Sequence, residues 1–344
     1  MYRIAFFDAK PYDRVHFEKF GQEFGIEYRF LETKCNEDTL SLARGFDGVC
    51  TFVNDQITPG VIDGLFQMGI SVLALRCAGF NQVDMKYAFG RLHVLRVPAY
   101  SPYAVAEHTA ALLLALNRHI HKSYIRSRDF NFSLSGLEGF DLNGKTVGVL
   151  GTGRIGRVFA RICRGFSMKV LAYDVVESEE VKKEGVEYTD LDTLFSESDI
   201  LSLHLPLTDE SYHMINEKSL SKCKDGVILL NTSRGALVNS EDLVRALKTG
   251  KVGGAALDVY EEEADLFFED HSDKVIEDDV LARLVSMPNV IVTSHQAFLT
   301  REALSHIAET TSENLISFFE KGQCQNEICY RSGKTEDLCR GKCF

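Results

Sequence analysis

The chain has 344 residues, of which 45% are hydrophobic, and a formal net charge of -12. That length and apolar content can fill the cores of two domains, and an acidic balance with no long basic run argues against a nucleic-acid binder. Arg3, Asp8, Lys10 and Asp13 interrupt the first apolar residues, so no signal peptide is expected; the apolar run 110–116 is far too short to span a bilayer, and a cytoplasmic protein is expected.

The first third alternates short apolar runs with helix-compatible stretches, the pattern of a parallel α/β sheet. Strands are expected at 3–7, 27–30, 48–52, 71–75 and 94–97, with helices at 11–24 and 60–69. Pro98-Ala-Tyr-Ser-Pro102 breaks the pattern. Ser101 can cap a helix there, and Pro102 suits the first helical position. One helix is expected over 103–123, buried because its first part is nearly all apolar. Residues 127–141 read as a connector.

A strand at 146–150 then runs into Gly151, Gly153 and Gly156, spaced as Gly-x-Gly-x-x-Gly. A helix follows at 157–166, then a strand at 169–173 closed by Asp174. In this strand–turn–helix–strand setting the glycine string indicates dinucleotide binding. Gly151 permits a tight turn, Gly153 lets backbone approach a pyrophosphate, and Gly156 lets the helix sit close to the sheet. The helix N-terminus offers N–H groups to the phosphates. A carboxylate at Asp174 accepts hydrogen bonds from the ribose hydroxyls of NAD and repels the extra phosphate of NADP.

Further strands are expected at 198–204, 226–230, 254–258 and 290–294, with a helix at 241–248. A long amphipathic helix, 300–320, is expected to cross back to the first domain. In a parallel sheet, ligands meet the carboxyl ends of strands. Arg234, Asp258, Glu263 and His295 all sit just beyond such ends. Arginine offers a rigid fork for a planar carboxylate. Imidazole titrates near neutral pH, as general acid–base work requires. A carboxylate such as Glu263 beside His295 would favour the imidazolium and fix its tautomer, although Glu261-Glu-Glu263 also reads as a solvated acidic face. Asp258 reads as support near the site. The chemistry these residues favour is hydride exchange with a 2-oxo acid, with His295 moving the proton and Arg234 polarising the carbonyl.

No string has metal-ligand spacing, and no metal is expected. Nine cysteines are present. Cys50 and Cys163 have apolar neighbours and read as packed thiols. Cys324, Cys329, Cys339 and Cys343 read as independent surface thiols near an irregular end.

These residues resemble the NAD-dependent D-isomer-specific 2-hydroxyacid dehydrogenases from Tyr2 to about Glu327. The strings that carry the likeness are Phe52-Val-Asn-Asp55, Leu75-Arg-Cys-Ala-Gly-Phe-Asn81, Val97-Pro-Ala-Tyr-Ser-Pro102, Asn231-Thr-Ser-Arg-Gly-Ala236, Leu257-Asp-Val-Tyr-Glu261 and His295-Gln-Ala-Phe-Leu-Thr300. The resemblance implies an α/β fold of two Rossmann-like domains with parallel sheets. The dinucleotide domain (101–299) would be inserted into a flavodoxin-like catalytic domain that binds substrate (1–100 plus 300–330), with a tail at 331–344. It implies catalytic roles for Arg234, Glu263 and His295, and substrate contacts from Phe52, Cys77, Ala78, Gly79, Tyr100 and Phe298. It implies NAD contacts from Gly151, Gly153, Arg154, Ile155, Gly156, Asp174, His204, Pro206, Thr232 and Asp258.

The implied activity is reduction of pyruvate to D-lactate by NADH, in a homodimer or larger homo-oligomer. Phe298 departs from relatives that carry a tyrosine hydroxyl there. Two rival readings stay open: action on bulkier 2-oxo acids of the hydroxyisocaproate or phenyllactate type, and a non-enzymatic NAD-sensing binder similar to corepressors.

Overall fold

Gly48–Thr51 and Val72–Leu75 are buried at every position, which suits strands covered on both faces of a sheet. The computed structural model describes residues 1–262 and 266–330. The chain divides into two units, Met1–Ser101 joined by the chain from Leu299, and Pro102–Phe298.

In the first unit β1 (Tyr2–Phe6), β2 (Ile26–Phe30), β3 (Gly48–Thr51), β4 (Val72–Leu75) and β5 (His93–Arg96) run parallel, in the order β5-β4-β3-β1-β2. This is the flavodoxin-like order, and it reverses between β1 and β3. The helices Pro11–Phe24 and Arg301–Lys321 pack against one another in this unit.

The second unit has β6 (Thr146–Leu150), β7 (Lys169–Tyr173), β8 (Glu187–Tyr188), β9 (Ile200–Leu203), β10 (Val227–Asn231), β11 (Val252–Leu257) and β12 (Val290–Val292). All are parallel, in the order β12-β11-β10-β9-β6-β7-β8. The order reverses between β6 and β9, where the glycine turn leaves the sheet. Each strand sends alternate side chains to opposite faces. Val147, Val149, Ile228 and Leu230 meet Leu113, Leu116 and Phe159 from the helices Pro102–Asn117 and Arg154–Gly165. Leu201, Leu203, Leu229 and Leu257 belong to a second core with Leu243 and Leu247 of the helix Ser240–Thr249.

Three expectations are corrected. The single helix 103–123 is two, Pro102–Asn117 and Ile120–Arg128. His119 takes a left-handed backbone (φ 51°) between them. Asn117 exchanges hydrogen bonds with the connector, Nδ2 donating to the Phe140 carbonyl at 2.8 Å and Oδ1 accepting Phe140 N–H at 3.0 Å. The first unit's sheet is not wholly parallel, because β13 (Glu327–Ile328) pairs antiparallel with β5. That strand buries Cys324 and Cys329, which are therefore not surface thiols; the Cys324 thiol donates to Asn314 Oδ1 at 3.2 Å. Cys339, Cys343 and the tail 331–344 lie outside the described residues.

Candidate active site

The turn after β6 is shaped by close backbone approach. Gly151 has φ 93°, and a Cβ there would fall 2.5 Å from the His204 carbonyl oxygen. A Cβ on Gly156 would lie 1.9 Å from the Gly151 carbonyl oxygen. Gly153, the N-cap of the Arg154–Gly165 helix, instead faces open space among the described residues, none of which comes within 4 Å of a Cβ built on it. The space lies where a helix N-terminus presents unpaired N–H groups, a fit for a dinucleotide's pyrophosphate. Arg154 is exposed and Ile155 half-buried beside it.

Asp174 ends β7 and turns back onto this loop. Its Oδ2 accepts Thr152 N–H at 2.6 Å and the Thr152 hydroxyl at 3.0 Å, and Oδ1 accepts Val176 N–H at 3.3 Å. Tyr188 shares a hydrogen bond with the same Thr152 hydroxyl at 2.7 Å. A half-buried carboxylate is thus held at the strand end next to the glycine turn.

His204 follows β9 across the reversal. Its Nε2 lies 2.9 Å from Ser202 Oγ and its ring centroid 5.1 Å from that of Phe159. Burial pushes its imidazole down to about 3, so it is neutral at physiological pH. Pro206 is exposed, and its carbonyl accepts the Ser211 hydroxyl at 2.7 Å. Thr232 is buried, its hydroxyl 2.8 Å from that of Thr109.

Arg234, Asp258 and His295 follow β10, β11 and β12, adjacent strands of one sheet. Gly235 brings the Arg234 turn against the next segment: a Cβ there would sit 1.9 Å from the Tyr260 carbonyl oxygen. Asn231 braces the turn, donating from Nδ2 to the Arg234 carbonyl at 2.8 Å and accepting Ser233 N–H at 3.1 Å. The half-buried guanidinium donates from Nη1 to the Ser233 carbonyl at 2.7 Å.

Asp258 is fully buried and holds the His295 loop. Its carbonyl accepts His295 N–H at 2.7 Å. Its Oδ1 accepts the Thr293 hydroxyl at 2.5 Å and Gln296 N–H at 3.0 Å, and Oδ2 accepts Ala297 N–H at 2.8 Å. Burial pushes the carboxyl up, but bonds from His108, Thr293 and Ala297 outweigh it and hold it below its ordinary range. Asp258 is thus held at the end of β11 by donors of the chain itself. The loop it holds puts His295 in the left-handed region (φ 52°), its ring centroid 5.8 Å from that of Phe268. Phe298 is buried at the loop's end. Glu263 lies outside the described residues.

Sequence reasoning missed His108, whose Nε2 lies 3.3 Å from both Asp258 Oδ1 and Thr293 Oγ1. Its only signal is a histidine within the mostly apolar stretch 104–116. Glu261, read as part of a solvated acidic run, is bonded to His213 and accepts Ser240 N–H at 3.2 Å.

In the first unit Phe52 is buried at the end of β3 and Cys77–Gly79 follow β4. The Cys77 carbonyl accepts Val97 N–H at 3.1 Å, the Cys77 thiol donates to the Gly79 carbonyl at 3.2 Å, and the Ala78 carbonyl accepts from Arg96 Nη1 at 3.2 Å. Tyr100 is half-buried in the segment that ends this part of the unit.

A parallel sheet that reverses at a glycine turn, with a carboxylate closing the next strand, defines the second unit as a dinucleotide-binding domain of the dehydrogenase type. The model of the D-isomer specific 2-hydroxyacid dehydrogenase NAD binding domain matches residues 110–297, and the chain belongs to that family. It is 50% identical to the D-lactate dehydrogenase of Escherichia coli K12 over 95% of this chain and 99% of that one. Among solved structures it is similar to apo D-lactate dehydrogenase from Escherichia coli (TM-score 0.87, 47% identity, 94% of this chain and 99% of that one). It is also similar to the pyruvate reductase of Chlamydomonas reinhardtii (TM-score 0.89, 42% identity, 93% and 97%).

Two outcomes follow from this geometry. Gly156→Ala should displace the turn and weaken NADH binding by roughly tenfold or more, since contacting backbone cannot yield cheaply; fluorescence titration checks it, and an unchanged Kd contradicts the close approach. A carboxyl held below its ordinary range stabilises the fold at neutral pH, and that contribution is lost as pH falls through the folded value. Asp258→Asn should therefore cost about 1–3 kcal/mol at neutral pH, and the gap to wild type should narrow in acid. Urea denaturation at both pH values measures this, and equal stability at neutral pH would contradict it.

Proposed function

We propose that the chain is an NAD-dependent D-lactate dehydrogenase, exchanging hydride reversibly between NADH and pyruvate. The observation that carries this reading is the arrival of Arg234, Asp258 and His295 on adjacent strand ends of a sheet whose glycine turn fits a dinucleotide. The activities named for its relatives support the same reading.

Bound NADH supplies hydride to the 2-oxo carbon. Gly151, Gly153, Arg154, Ile155 and Gly156 would hold the pyrophosphate, and Asp174 the adenosine ribose, disfavouring a 2′-phosphate by charge repulsion. His204, neutral through burial, lines the cofactor side with Pro206 and Thr232. Arg234 would grip the substrate carboxylate as a fork and draw charge from the carbonyl. His295 as imidazolium gives its proton to the oxo oxygen; in reverse the neutral ring takes it from the hydroxyl. Glu263 would support His295 in that role. Asp258 keeps the His295 loop in place. In the first unit Phe52, Tyr100 and the Cys77–Gly79 loop, and in the second Phe298, would be the substrate contacts.

The chain acts as a cytoplasmic homodimer in this reading; no helix among the described residues is long and apolar enough to cross a membrane. A mainly apolar groove of ≈ 520 Å³, lined by Leu114, Val158, Ile162 and Phe166 among others and carrying the charged Glu107 and Arg161, supports a second copy as the partner. So do the exposed Ile120, Tyr124, Ile125, Phe130, Phe132 and Leu134 nearby in sequence.

With pyruvate and NADH the protein should turn over rapidly and yield D-lactate on chiral analysis, and His295→Ala should lower kcat by about 10²–10⁴-fold. Turnover only with bulkier 2-oxo acids would move the assignment to the hydroxyisocaproate type. Sedimentation should find a dimer that Ile125→Asp with Phe132→Asp converts to monomer; a monomeric wild type would remove the second copy from the reading.

A further inference from the structure

A buried ionic cluster lies at the carboxyl ends of β1, β3 and β4, and the reading above does not use it. Arg76 follows β4 directly, and its side chain is only 2% exposed. Its guanidinium carbon sits 4.4 Å from the centroid of the Phe6 ring and 4.6 Å from that of Phe52. Nη2 donates to the Asp8 carbonyl at 2.6 Å, and Nε lies 3.7 Å from Asp13 Oδ2. Nη1 is buried with no hydrogen-bond partner among the described residues. The Asp8 carboxylate takes Lys10 Nζ at 2.9 Å.

The same cluster reaches the two segments read as substrate contacts. Asp55 accepts Cys35 N–H and Phe52 N–H, each at 2.5 Å. Gln82 Nε2 donates to the Phe52 carbonyl at 3.3 Å and lies 3.6 Å from Cys77 Sγ. Burial raises the Asp55 carboxyl to about 6, against the opposing pull of the Arg76 charge.

A buried charge is an expensive way to fill a core. Replacing such groups with well-packed apolar residues is often neutral or stabilising. A guanidinium does what an aliphatic chain or an ammonium cannot: it presents a flat, weakly hydrated cation to an aromatic face. Here Phe52 is one of the two faces, and Cys77–Gly79 continue the chain from the arginine itself.

We infer that Arg76 is a positioning residue for the substrate pocket: stacked against Phe52 and joined to Cys77–Gly79, it fixes the ring and loop that set which 2-oxo acid fits. The inference rests on the reading of Phe52 and Cys77–Gly79 as pocket residues. A ring backed by a buried planar cation keeps one orientation, so the space left for the substrate's side chain is constant. A lysine there keeps the charge and loses the plane; a methionine loses both.

The test is a double-mutant cycle in the full chain, with Arg76→Lys, Arg76→Met, Phe52→Leu and the Arg76→Lys/Phe52→Leu pair. KM and kcat are measured for pyruvate and for 2-oxo-4-methylpentanoate, with NADH Kd as the control. Arg76→Lys and Arg76→Met should each raise KM for pyruvate about tenfold and shift preference toward the bulkier acid, whereas in the Phe52→Leu background Arg76→Lys should add less than about twofold. NADH Kd should stay within about twofold of wild type in every variant.

If Phe52→Leu alone leaves KM and preference unchanged, the pocket reading fails and takes the inference with it. If Phe52→Leu shifts them and neither Arg76 variant does, the pocket stands and the role of Arg76 is overturned. Additive effects would reduce Arg76 to general support of the fold and overturn it too. So would failure of both Arg76 variants to fold, which would make the arginine a core residue only.

Discussion

A carboxylate wholly removed from water must be satisfied by the chain, and the strand ends of the second unit are organised around one. Asp258 has no solvent access. Leaving its charge without donors would cost several kcal/mol. The donors come from the residues around His295 and from His108 on the Pro102–Asn117 helix. Satisfying Asp258 therefore shapes the loop. A non-glycine residue in the left-handed region costs about 1–3 kcal/mol and persists only where its surroundings over-determine it. His295 is such a residue, and the bonds to Asp258 supply the constraint.

The first unit uses the same device with the opposite sign. There a buried cation, Arg76, is met by the Asp8 carbonyl just past β1, by Asp13 on the Pro11–Phe24 helix, and by the rings of Phe6 and Phe52 at the ends of β1 and β3. In both units the charge sits where parallel strands end, because β-strands buried on both faces leave only their ends for polar groups. Each sheet thus carries a buried, hydrogen-bonded charge beside loops at its strand ends. Loops so held keep a geometry that exposed loops, paired only with water, would not.

Much of this was legible along the chain. The strands of both sheets announced themselves as short apolar runs between turn residues, and the glycine spacing with Asp174 marked the dinucleotide turn. Arg234, Asp258 and His295 were visible as polar residues just past such runs. Other features had no local signature. His108 looks like a polar interruption in an apolar helix until Asp258, far away in sequence, is brought to it. Arg76 looks like the end of a strand until the rings of Phe6 and Phe52 are brought to its guanidinium. The break at His119 depends on a connector that returns to Asn117, and Cys324 is buried only because β13 joins the sheet beside β5.

By itself, then, the sequence determined what one strand or one turn can encode: periodicity, turn chemistry, the glycines that allow backbone to touch backbone, and the residue types placed at strand ends. Tertiary structure alone decided which of those residues are paired, which are buried, and which loops they hold. The physical reason is range. Backbone preference acts over a few neighbouring residues, whereas the cost of an unsatisfied buried charge is met by whatever groups the fold brings within hydrogen-bond distance, such as His108 and Thr293 around Asp258.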